Sequence, residues 1–71
     1  MNTVKLVYDP VPRTQSQKES ITFLAILELE RAGIYAHQLS ASVIQFDSAR
    51  DLTIALLLLA ASDSFRACVL D

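Results

Sequence analysis

Between Leu52 and Ala61 the chain reads LTIALLLLAA, interrupted only by Thr53. A helix that crosses a bilayer needs about 20 apolar residues, and this run has about half of that. A shorter helix that is apolar on every side is normally buried on every side. The 71 residues available form one domain at most, and a chain of this size buries only about 60% of the surface it exposes when unfolded. The run must therefore be covered partly by its own sheet and partly by something else. At 100° per residue, Leu52, Ala55, Leu56 and Leu59 fall on one side. Ile54, Leu57, Leu58 and Ala61 fall on the other, in line with Arg50.

The rest of the chain supplies the sheet. Thr3–Tyr8 alternates, with Val4, Leu6 and Tyr8 on one face and Lys5 on the other, which predicts a strand. Asp9-Pro-Val-Pro12 stops it. Ser16-Gln-Lys-Glu19 reads as a capping box that opens a helix running to Ala32. Gly33 is placed for a left-handed C-cap, with Ile34 as its apolar contact. Ile34–Leu39 and Val43–Asp47 are short, β-prone and separated by Ser40-Ala41-Ser42, which is hairpin spacing. Ser48-Ala-Arg-Asp51 starts the second helix, Ser62-Asp63-Ser64 breaks it, and Phe65–Leu70 closes the chain as a strand. The expectation is one α+β domain over residues 1–71 in β-α-β-β-α-β order. That order is similar to the split βαβ, or ferredoxin-like, sandwich, an antiparallel sheet with two helices on one face. Its main rival is a loop plus a single strand across Ile34–Asp47.

The first helix repeats the surplus of the second. Ile21, Leu24, Ala25, Leu29 and Ala32 make a core face, and Phe23 and Ile26 point the other way, between Glu19 and Glu30. Phe23, Ile26, Ile54, Leu57, Leu58 and Ala61 are thus the candidate protein interface. The alternative is that the second helix is wedged against the first and covered by the arm Asp9–Gln15.

Composition removes several functions. Hydrophobic residues make up 52% of the chain and charged residues 20%, with a net charge of −2. No basic block is present to attract phosphate, so nucleic acid is not an expected partner. RNA recognition on such a sheet wants stacked aromatics and a basic, glycine-containing third strand. Ser42–Ser48 has neither the basic residue nor the glycine, and Phe46 is expected to face the core. The open face would show Lys5, Tyr35, His37, Gln45 and Arg66. Gly33 stands alone, so no phosphate loop exists. Cys68 is the only cysteine and His37 the only histidine, too few for a structural zinc site. No metal, cofactor or membrane is expected. Met1–Pro12 lacks the apolar core of a signal peptide, and with one free thiol the expected compartment is the cytoplasm.

Catalysis has thin support. Cys68 and His37 would make a nucleophile–base pair only if the fold joins them. Asp9, Asp47 and Asp51 sit near strand ends, but turn and helix-start roles account for Asp9 and Asp51. The residues favour a small non-enzymatic interaction module, an adaptor, regulator or inhibitor. It would act as a homodimer through its apolar helical face, with a larger protein as a further target. The alternative is a sensor binding a small ligand at the sheet edge or dimer seam. An enzyme using Cys68 or His37 comes third.

Overall fold

The computed structural model describes residues 2–8 and 13–70. Strand β1 (Asn2–Val7), helix α1 (Gln15–Arg31), strands β2 (Ala36–Gln38) and β3 (Val43–Phe46), helix α2 (Ala49–Leu59) and strand β4 (Arg66–Val69) follow in that order. The four strands form one sheet, ordered β2-β3-β1-β4, with every neighbouring pair antiparallel. The fold is α+β. The strand-stopping Asp9–Pro12 segment, and with it the Asp9 carboxylate and most of the Asp9–Gln15 arm that the alternative reading lays over α2, lie outside the described residues.

Register follows from alternation. Val4 stands opposite Ile44 on β3 and Val69 on β4, and Leu6 opposite Ala67. Val4, Leu6, Ile44 and Phe46 point to the helices and are almost wholly buried. The hairpin expected at Ser40–Ser42 is present: the Leu39 amide donates to the Val43 carbonyl at 2.9 Å. It links strands shorter than the Ile34–Leu39 and Val43–Asp47 spans read from sequence. A further bond, from the Leu6 amide to the Ser42 carbonyl at 2.7 Å, ties the hairpin to β1.

Both helices are capped by side chains, one of them not where the sequence pointed. Ser48 caps α2 as expected, its hydroxyl accepting from the Asp51 amide at 3.1 Å. Asp51 also places a carboxylate in the first turn, where the helix dipole favours it. On α1 the capping box is Thr14 with Gln17, two residues before the Ser16–Glu19 pair. Thr14 and Ser16 are both hydroxyl residues followed three places later by an amide or acid. The local rule admits either, and the structure uses the earlier one.

The far end of α1 matches its sequence. Gly33 takes φ +83°, where an L side chain would cost roughly 1–2 kcal/mol. Its amide donates to the Glu30 carbonyl and the Ile34 amide to the Leu29 carbonyl, both at 3.0 Å. This is the Schellman arrangement, and Ile34 and Leu29 join the same core cluster.

α1 is rotated relative to the expectation. Thr22, Ala25 and Leu29 are its buried residues, while Leu24 is 59% exposed and Ala32 is also exposed. The buried threonine explains the rotation. The Thr22 hydroxyl donates to the Ala41 carbonyl at 2.7 Å and lies 2.6 Å from the Tyr8 hydroxyl. With its one proton spent on Ala41, Thr22 can only accept from Tyr8, whose single hydroxyl proton it shares with the Lys18 carbonyl at 3.2 Å. Burial raises the Tyr8 pKa above its ordinary value, opposed by the charge of Arg13. Tyr8 also packs edge-on against Phe65, with ring centroids 5.8 Å apart. The chain β1–Tyr8–Thr22–Ala41 thereby sets the roll of α1 on the sheet. Thr22→Val keeps the shape but leaves the Ala41 carbonyl without its donor, while the Tyr8 hydroxyl keeps the Lys18 carbonyl. It should cost about 1–3 kcal/mol, read as a lower urea midpoint, whereas Thr22→Ser should sit closer to wild type.

Candidate interaction face

The helical layer is where apolar surface remains. α2 is the better ordered of the two by pattern: Leu52, Ala55 and Leu59 are buried against the sheet, and Leu56 is half-buried. That is the face the sequence assigned to the core. Of the opposite stripe, Leu57 is 74% exposed and Leu58 47%, with Ala61 exposed beside them. Ile54 does not share this exposure, because it packs on the core cluster. On α1, Phe23 is 53% exposed, and Leu24 and Leu27 are exposed with it. Ile26 is half-buried against the core. The six residues singled out from sequence therefore divide: Phe23, Leu57, Leu58 and Ala61 stand outward, and Ile26 and Ile54 do not. Leu24 and Leu27 were missed. Their signal was present in the apolar residues that α1 carries nearly all round, but choosing among them required knowing that Thr22 is buried.

Between the helices runs a groove of about 500 Å³. Ile21, Leu24 and Ala25 of α1 form one wall, and Leu58 and Leu59 of α2 with Phe65 form the other. Among the described residues of its lining Glu28 is the one ionisable group, and Ser62 and Ser64 supply hydroxyls. Contiguous exposed apolar surface of this kind marks interaction sites on soluble domains.

The candidate chemistry does not assemble. Cys68 is on β4 and His37 on β2, at opposite edges of the four-stranded sheet. Three strand spacings separate them, about 14 Å, where proton transfer needs hydrogen-bond distance. His37 instead lies 3.5 Å from Asp47, and both side chains are well exposed. Asp51 serves the start of α2. Among the described residues no group of three or more His, Cys, Asp or Glu is placed to hold a metal ion, and no helix is long and apolar enough to cross a membrane. On the open sheet face Lys5, Tyr35, His37 and Arg66 are exposed and Gln45 half-buried. Phe46 is buried in the core, so β3 offers no aromatic platform there.

No family model matches the chain, and no curated protein matches it. Among solved structures, the structured domain of Drosophila melanogaster Boca is similar, with a TM-score of 0.80 and 14% sequence identity. The superposition covers 100% of this chain and 97% of that one. At that identity the likeness is one of fold, and it extends over the whole small α+β architecture.

Proposed function

We propose that this chain is a small non-enzymatic protein-interaction module that self-associates through its helical layer. It would act on a larger protein as an adaptor, regulator or inhibitor. The observation that carries the reading is the outward apolar surface on both helices, with Leu57 at its most exposed point. Water gains nothing from those leucines, and a second copy can cover them without any new surface being built. The strand order β2-β3-β1-β4 with two helix crossovers also supports reading the sandwich as ferredoxin-like, a class that hosts many unrelated functions. Sedimentation velocity tests the proposal: a dimer is expected at micromolar concentration, and a monomer up to several hundred micromolar would refute it.

The interhelical groove favours one second reading, a small-ligand sensor. Its volume falls within the range of small-molecule sites. A thermal-shift screen of apolar metabolites separates the two, since a sensor is stabilised by its ligand at saturating concentration and an interaction module gives a flat response.

A further inference from the structure

The outer surface of α1 carries a row at four-residue spacing: Glu19, Phe23, Leu27 and Arg31. All four are exposed, and residues four apart are neighbours on successive turns. The charges are antisymmetric about the midpoint of the row, acidic toward the helix start and basic toward its end. Among the described residues neither Glu19 nor Arg31 has an ion-pair partner. Such a row is complementary to itself when reversed.

Resting on the self-association proposed above, we infer that the occupant of this face is a second copy whose α1 runs antiparallel to the first. The two-fold axis passes midway between Phe23 and Leu27. In that register Phe23 of each copy meets Leu27 of the other, and Glu19 of each meets Arg31 of the other. Ser20 falls opposite Glu30, a hydroxyl facing a carboxylate. A parallel two-fold arrangement would instead set Glu19 against Glu19 and Arg31 against Arg31. Rows at i±4 spacing lie side by side in the commonest class of helix packing. At 17 residues, α1 is about 25 Å long and spans the whole row.

The experiment is a charge exchange, read by sedimentation equilibrium with circular dichroism as the folding control. Glu19→Lys alone sets two cation pairs across the seam, and Arg31→Glu alone sets two carboxylate pairs. Each should weaken the dimer by about tenfold, the scale of reversing two exposed ion pairs. An equimolar mixture of the two variants should recover near wild-type association. In the mixed dimer the introduced lysine faces the introduced glutamate, and the native Arg31 faces the native Glu19. Association of either single variant at wild-type strength would overturn the register, as would a mixture no tighter than its components. A monomeric wild type would remove the self-association reading along with it. A wild-type dimer that Leu57→Glu/Leu58→Glu breaks and the charge variants leave untouched would keep that reading and discard this seam.

Discussion

Leu29→Ala should lower the unfolding free energy by about 2–5 kcal/mol, the range for removing a large aliphatic side chain from a closed core. Leu29 is almost wholly buried and its carbonyl receives the Ile34 amide at the helix end. Truncation there opens a cavity beneath the C-cap, where Ile34 also packs. A chain of 71 residues has a total stability of roughly 4–10 kcal/mol, so this one change takes a large share of it. Leu24→Ala, five residues earlier on the same helix, should shift stability by no more than about 0.5 kcal/mol. The comparison is best made by urea denaturation in a monomeric background, so that association does not contribute. Equal effects at the two positions would mean that α1 is rolled differently on the sheet.

Leu57→Glu with Leu58→Glu should convert the dimer to a soluble monomer that still unfolds cooperatively. Both side chains point away from the sheet, and the buried face of α2 is supplied by Leu52, Ala55 and Leu59. A carboxylate at position 57 or 58 therefore reaches water in the monomer, and the folding cost stays small. In a dimer the same carboxylates would be desolvated against each other without a cation to pair them. Removing a buried charge from water costs several kcal/mol, which is a loss of 10³-fold or more in affinity. Sedimentation velocity gives the mass, and circular dichroism with a thermal scan gives the fold. An unfolded double variant would place these leucines inside the monomer, and an intact dimer would move the interface elsewhere.

The two leucine changes on α1 also show where reading the residues in order stops being enough. In β1 and β3 the alternation has one solution, and in α2 one of two apolar stripes has to meet the sheet. Val4 and Leu6 alternate with Lys5, Ile44 and Phe46 alternate with Gln45, and Leu52, Ala55 and Leu59 recur at helical spacing. Each set is buried as its period requires. α1 has apolar residues at 21, 23, 24, 25, 26, 27 and 29, so several faces fit equally well. Hydrophobic counting favoured Leu24 for the core. The structure buries Thr22 instead, because Tyr8 just after β1 and Ala41 from the hairpin together satisfy its hydroxyl. That hydrogen bonding draws on partners 14 and 19 residues away in sequence, which no local window contains.

The interaction face inherits the same division. The sequence by itself determined the caps at Gly33 and Ser48, the alternation of the central strands, and the excess of leucine on α2. Those depend on backbone geometry and on side chains within one or two turns. Only the tertiary structure decided the roll of α1, and with it the exposure of Leu24 and Leu27 beside Phe23 and the partial burial of Ile26 and Ile54. Local patterning tells a helix that it must hide one side. Which side it hides depends on where distant polar groups find their partners.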